Sequence, residues 1–171
     1  AERTPIVSTK LSNSALGNAL LTHNAVLISS DVGEHAVVEQ MKKHNAQLGS
    51  EPSGHIVIRK HIMASDGIFA ALCVMQAALT RNNLALATFT HNPHALQNVV
   101  VTEKIPLTHP ALAGALATFT QTFPGAFQIV RYSGTERLLR VYVEAATQAQ
   151  ATSCAAHLAT QLSTTIQMLT S

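Results

Sequence analysis

The chain has 171 residues, 47% of them hydrophobic by a broad count, enough to bury an ordinary core in one domain or two small ones. Its formal charge is only +2, and its nine histidines are scattered from His23 to His157, so neither a basic stripe for nucleic acid nor an acidic tail is present. Aromatic residues make up 4% with no tryptophan, which excludes ring stacking as the main recognition device and leaves Tyr132 and Tyr142 as a minor version of it.

In chain order, Ile6 to Thr9 reads as a strand, Ala15 to Thr22 as a helix, Ala25 to Ser29 as a strand, and His35 to His44 as a helix opening after Gly33. This is the β-α-β-α rhythm of a small parallel sheet. The turn Gly49 to Gly54 precedes a further strand at His55 to Ile58, and the run from Gly67 to Thr80 is apolar on most faces, as expected of a buried helix. After Arg81-Asn82-Asn83 the rhythm loosens, and a boundary near residue 90 divides the chain into an α/β domain, 1–90, and a second domain, 91–171. Beyond it come a β-branched run at Asn98 to Thr102, a helix from Pro110 to Thr122, strands at Ala126 to Arg131 and Leu138 to Ala145, and a helix from Gln148 to Leu169. The order β-α-β-β-α predicts an α+β layer with helices on one face.

Cys73 and Cys154 lie in alanine-rich helical stretches with no partner at metal-ligand spacing and read as buried thiols of a reducing cytosol. No run approaches the roughly 18 apolar residues of a membrane span, and the start at Ala1 has no signal-peptide core. The expectation is a cytoplasmic chain with neither membrane nor nucleic acid as partner. The absence of an initiator methionine fits a processed terminus or a piece of something longer.

Two constellations carry chemistry. Arg131-Tyr132-Ser133-Gly134-Thr135-Glu136-Arg137-Leu138-Leu139-Arg140 places between two strands a turn with a glycine, two hydroxyls, consecutive backbone N–H groups and an arginine on either side. Those are the parts of a phosphate cradle, since a guanidinium pairs its N–H groups with phosphate oxygens and a second one fixes the dianion's orientation. The same residues also fit a polar hairpin turn with solvated arginines. In Gly49-Ser50-Glu51-Pro52-Ser53-Gly54-His55, a carboxylate, a hydroxyl and an imidazole converge on a glycine-flanked turn, as recognition of vicinal sugar hydroxyls requires and as an ordinary exposed turn would also allow.

The first stretch resembles the Arg-x-Ser-Gly-Thr-Glu-Pro-x-x-Arg phosphate loop of the last domain of phosphohexomutases, differing at Arg137, where that family has proline and hence a more rigid turn. The second resembles the Gly-Glu-x-Ser-Gly-His sugar loop of their third domain, with Ser50 in place of the first glycine. Val7 to Asn13 is similar to the Thr-x-Met-Ser-Asn strand end of the glucosamine branch of the family, and Ser65-Asp66-Gly67-Ile68 to the Gly-Asp-Gly-Ile that opens the next helix, with Asp66 placed to cap it. The resemblance runs in family order from about Pro5 to the last helix, that is, over the third and fourth domains.

It implies that Glu51 and Ser53 contact hexose hydroxyls, that His55 lies near the reacting phosphate, and that Arg131, Ser133, Gly134, Thr135 and Arg140 bind the other phosphate. The activity it implies is interconversion of glucosamine 6-phosphate and glucosamine 1-phosphate through a phosphoserine upstream of this chain, with mannose or glucose phosphates, or a non-catalytic sugar-phosphate-binding module, as alternatives. The partners are then a sugar phosphate and the N-terminal domains of the same enzyme. No catalytic residue is expected here, and no metal ligand: nothing matches the family's Asp-Gly-Asp-Gly-Asp loop, so Mg²⁺ would be held outside this chain. Where the family reads Lys-Val-Gly-Asp-Arg this chain has Asp31-Val32-Gly33-Glu34-His35, an anion where a cation is expected near a charged substrate. Thr90-His91-Asn92-Pro93 is similar to the end of the family's phosphoserine loop, but it falls between the two binding loops and reads as a linker turn, with His91 and His94 as surface residues.

Overall fold

The computed structural model describes residues 2–82 and 89–170. The chain forms two compact units, Ala1–His91 and Asn92–Ser171.

In the first unit, β1 (Thr4–Thr9), α1 (Ala15–Thr22), β2 (Ala25–Ser30), α2 (Glu34–Lys43), β3 (Leu48–Ser50), β4 (Ile56–Ile58) and α3 (Gly67–Thr80) follow in order. The sheet order is β2-β1-β3-β4, with β1 parallel to both β2 and β3 and β4 antiparallel to β3. The α/β expectation holds, with one element added. Gly49 and Ser50, read from sequence as turn, belong to β3, because a three-residue strand with glycine at its centre carries no apolar alternation to announce it. Val7, Val37, Met41, Ala46 and Val57 form the core, so α2 covers the sheet centre through Val37 and Met41. The chain leaves each of α1, α2 and α3 through an asparagine in the left-handed region, Asn24, Asn45 and Asn82, which lets it reverse direction without glycine.

Asp66 caps α3: its Oδ1 accepts from the Phe69 N–H at 2.9 Å, while Oδ2 lies 2.9 Å from His61 Nε2. The Phe69 amide and then His61 hold its carboxyl below the usual value. The helix itself departs from expectation. It buries only Ala70 and Ala78, whereas Ile68, Leu72, Met75 and Leu79 are exposed, a stripe at spacings of four, three and four along one face. Cys73, on the same helix, is correspondingly only partly buried.

The second unit contains β5 (His94–Val100), α4 (Pro110–Thr122), β6 (Phe127–Tyr132), β7 (Leu138–Glu144) and α5 (Gln148–Thr170), the β-α-β-β-α order expected. The antiparallel sheet runs β5-β7-β6. Central β7 alternates: Leu139, Val141 and Val143 are fully buried against Leu112 and Phe119 of α4 and Leu158, Leu162 and Ile166 of α5. That alternation turns Arg140 and Tyr142 to the opposite face. β5 starts four residues earlier than the β-branched run suggested, because it pairs with the whole of β7 from His94 opposite Glu144 to Val100 opposite Leu138. Burial pushes the Cys154 thiol up, as for an inert core thiol.

Candidate functional site

In the first unit the chemistry gathers where β1, β2 and β3 end side by side, the edge at which open α/β sheets bind ligands. Ser8 Oγ bonds to Ser12 Oγ at 2.6 Å and to the Ser50 carbonyl at 2.9 Å, tying the β1 and β3 ends together. Gly33 opens α2 at φ 111° and donates its N–H to Glu51 Oε1 at 2.9 Å. Glu51 N–H in turn bonds the His55 carbonyl at 2.8 Å, and Gly54, at φ 93°, returns its N–H to the Glu51 carbonyl. The turn is therefore closed by backbone bonds and docked by its own carboxylate.

Glu51 is the inner member of this loop, with a side chain 11% exposed, and its second oxygen faces His55 Nδ1 at 3.9 Å. Ser53 Oγ lies 2.8 Å from the same Nδ1, and Ser53 and His55 are exposed. The structure thus brings Glu51, Ser53 and His55 into one hydrogen-bonded group with one carboxylate oxygen already committed to Gly33. Alongside, Ser65 beside it holds the Glu34 carboxyl below its usual value. The charge change at Asp31 is not isolated: its carboxylate takes Lys10 Nζ at 2.7 Å, and that contact holds its pKa down. An ammonium therefore stands at this edge after all, supplied by the end of β1, which the motif comparison did not reveal because Lys10 lies 21 residues away.

In the second unit, β6 and β7 place Arg131 directly opposite Arg140. Side chains opposed across an antiparallel pair share one face with Cβ atoms about 5 Å apart, and two like charges so placed repel. Ser133 is buried and closes the turn by donating its N–H to the Leu138 carbonyl at 2.8 Å. Gly134, Thr135, Glu136 and Arg137 are exposed. A Cβ on Gly134 would meet nothing within 4 Å and its φ is not positive, so neither crowding nor backbone angle demands glycine there; its open side leaves room for a ligand against the backbone.

One residue of this loop and one outside it carry contacts that sequence reasoning did not assign. Glu136 Oε2 accepts from Arg140 Nη2 at 3.0 Å and from Ser133 Oγ at 3.2 Å. Lys104 Nζ donates to the Ser133 carbonyl at 2.6 Å and to the Gly134 carbonyl at 3.4 Å. Arg131 makes no side-chain hydrogen bond or ion pair with the described residues, and Arg140 Nε is buried without a partner among them. Thr90 and His91 fall at the end of the first unit and Asn92 and Pro93 at the start of the second, where the Pro93 carbonyl accepts from Ala145 N–H and Asn92 Nδ2 reaches Glu144 Oε2 at 3.3 Å.

Because Glu136 occupies two groups that a phosphate would use, Glu136→Gln should tighten inorganic phosphate about three- to tenfold, the worth of removing one competing charge-assisted contact. Calorimetric titration of both proteins measures it. Equal or weaker binding would make the carboxylate a support of the loop rather than a competitor.

Among the described residues no group of three or more His, Cys, Asp and Glu is arranged to hold a metal ion, and no helix is long and apolar enough to cross a membrane. The family profile for phosphoglucomutase/phosphomannomutase, alpha/beta/alpha domain III, matches residues 1–93, and that for the C-terminal domain matches residues 96–161. The phosphoglucosamine mutase of Solidesulfovibrio magneticus is 38% identical over 145 residues, 82% of this chain and 32% of the relative. That of Nitratidesulfovibrio vulgaris is 36% identical over 170 residues, 95% of this chain and 36% of the relative. The chain thus spans about a third of the length of the curated relatives it matches. In fold it is similar to the N-acetylphosphoglucosamine mutase of Aspergillus fumigatus, with a TM-score of 0.80 at 19% identity over 96% of this chain and 39% of that one. The same fungal enzyme has been solved with GlcNAc-6P and magnesium. Two adjacent domain profiles in family order, carried by the two folded units, mean that the chain belongs to the phosphoglucomutase/phosphomannomutase family, the phosphohexomutases.

Proposed function

We propose that this chain is the sugar- and phosphate-binding portion of a phosphoglucosamine mutase, which interconverts glucosamine 6-phosphate and glucosamine 1-phosphate. The observation that carries the reading is the opposition of Arg131 and Arg140 beside the Ser133–Gly134–Thr135 turn. Two arginines rooted at directly opposed positions repel each other unless an anion is shared between them, and a phosphate dianion is the anion that two such forks fit. In this reading Glu51, Ser53 and His55 supply the hydrogen bonds for the sugar. Relatives at 34–38% identity bearing the phosphoglucosamine mutase name favour glucosamine over mannose or glucose.

The chain's residues bind and orient. They neutralise charge on the phosphate that is not reacting, which together with in-line positioning accounts for most of phosphoryl-transfer catalysis. The phosphoserine and Mg²⁺ belong to parts of the family protein outside these residues, and the described residues show no donor set that would fit the metal. The exposed stripe Ile68, Leu72, Met75 and Leu79 supports a further partner, the remaining domains of the same enzyme, since an apolar stripe of this length on a soluble chain calls for a cover. Two free thiols and the sugar-phosphate substrate fit a cytoplasmic enzyme.

The test is turnover of glucosamine 6-phosphate, with mannose and glucose 6-phosphates as competitors. A polypeptide carrying the family's upstream domains ahead of this chain should convert glucosamine 6-phosphate in preference to the others, and the 171-residue chain alone should not convert it. Turnover by the isolated chain that vanishes in Thr90→Ala would restore the Thr90 loop as a nucleophile, and a preference for mannose or glucose phosphate would reassign the substrate.

A further inference from the structure

We infer that Lys104 is a positioning residue of the phosphate loop: its ammonium, by holding the Ser133 and Gly134 carbonyls, aims the Gly134 and Thr135 N–H groups at the bound phosphate. The inference rests on the phosphate-loop reading above and adds to it a residue from a different part of the chain.

In a trans peptide the C=O of one residue and the N–H of the next point in opposite directions across a rigid plane. Fixing the Ser133 carbonyl on Lys104 therefore fixes the Gly134 N–H on the other side, and fixing the Gly134 carbonyl does the same for Thr135. The contacts are 2.6 Å to Ser133 and 3.4 Å to Gly134, so the first peptide is clamped and the second is held more loosely. Successive N–H groups turned to one side form the concavity that binds anions, and such donors help most when they need not reorient on binding.

Lys104 is well placed to act as a fixed point because its own segment is tied to the same turn on one side of it and to the core on the other. Val101 N–H bonds the Arg137 carbonyl at 3.0 Å, and Val101 is buried in the core. On the other side, Ile105 packs against that core, and its backbone stands beside the Tyr132 hydroxyl. The stem is thus anchored at residues 101 and 105 while the ammonium reaches an otherwise exposed turn. Glu136 and Lys104 divide the loop between them, the carboxylate on the side-chain groups and the ammonium on the backbone carbonyls.

The experiment is titration of the full chain with inorganic phosphate, followed by backbone amide NMR, for the wild type, Lys104→Met and Lys104→Arg. Lys104→Met should weaken phosphate about three- to tenfold, the worth of one lost hydrogen-bond arrangement. In the phosphate-free state it should also move the Gly134 and Thr135 amide resonances, whereas Lys104→Arg, which can still donate to both carbonyls, should restore most of the affinity. Weaker binding with unmoved Gly134 and Thr135 amides would mean that Lys104 acts only through its charge, and would overturn the inference. Unchanged affinity in Lys104→Met would overturn it too, whatever happens to thermal stability, while leaving the phosphate-loop reading intact. Absence of any phosphate response between Arg131 and Arg140 in the wild type would remove both.

Discussion

Arg140→Ala is expected to weaken phosphate binding by roughly ten- to a hundredfold, the loss that follows from one charge-assisted hydrogen-bonding group worth about 1.5–3 kcal/mol. Arg131→Ala should have an effect of the same order, because the two side chains rise from directly opposed positions of β6 and β7. The same geometry sets a second expectation that separates function from folding. Without a ligand the opposed guanidiniums repel, and only Arg140 has a counter-charge among the described residues, in Glu136 at 3.0 Å. Arg131→Ala should therefore leave thermal stability unchanged or slightly raised, while Leu139, Val141 and Val143 on the other face of the sheet continue to hold α4 and α5. Phosphate titration by calorimetry together with a thermal melt measures both quantities. Retained affinity in both variants would remove the phosphate-loop assignment, and a loss of affinity accompanied by a fall in melting temperature would show that the arginines hold the sheet together instead.

The helices with strong local signals were legible to the residue: Ala15–Thr22, Gly67–Thr80 and Pro110–Thr122 begin and end where the sequence pattern places them, with Asp66 capping the second. What was not legible depends on distance along the chain. β3 is three residues long, and it is a strand only because β1 and β4 lie on either side of it. The burial of α3 was misjudged for a related reason. A helix apolar all round has no periodicity to say which side is covered, and here the covered side is the one of Ala70 and Ala78, with the large side chains left outside.

The candidate site divides in the same way. Residues inside one short loop, Glu51 to His55 and Arg131 to Arg140, were found from motif and residue type. Lys10 and Lys104 were not, because each reaches its partner across more than 20 residues, Lys104 sits in no motif, and Lys10 stands at the unspecified position of the Val7 to Asn13 match. Glu136 was in plain view within the phosphate motif, four residues before Arg140, yet only the folded turn shows that it takes both Arg140 and Ser133.

Gly49→Ala is expected to destabilise the first unit by about 1–3 kcal/mol, the usual cost of forcing an extra methyl into a filled core. Gly49 is the middle residue of β3, set between Val7 on β1 and Val57 on the edge strand β4, all three buried. A Cβ at this position would collide with Met41 Sδ and stand 2.6 Å from Val37 Cγ1 and 3.1 Å from Met41 Cγ. Met41 is flexible by nature, but it is fully buried here and Val37 is 1% exposed, so neither has room to withdraw. The strain is relieved only if α2 moves off the sheet. Because α2 starts at Gly33–Glu34, that movement pulls the Gly33 N–H away from Glu51 and loosens the loop of Glu51, Ser53 and His55. In a unit of this size 1 kcal/mol corresponds to about 4–8 °C in melting temperature, so a thermal melt resolves the effect. Amide shifts should spread from β3 into residues 51–55 and leave residues 131–140, in the other compact unit, where they were. Met41→Ala in the same chain supplies the missing space, so the double variant should lose less stability than the two single losses added together. Strict additivity, or a Gly49→Ala protein as stable as the parent, would show that α2 does not rest on Gly49 as described.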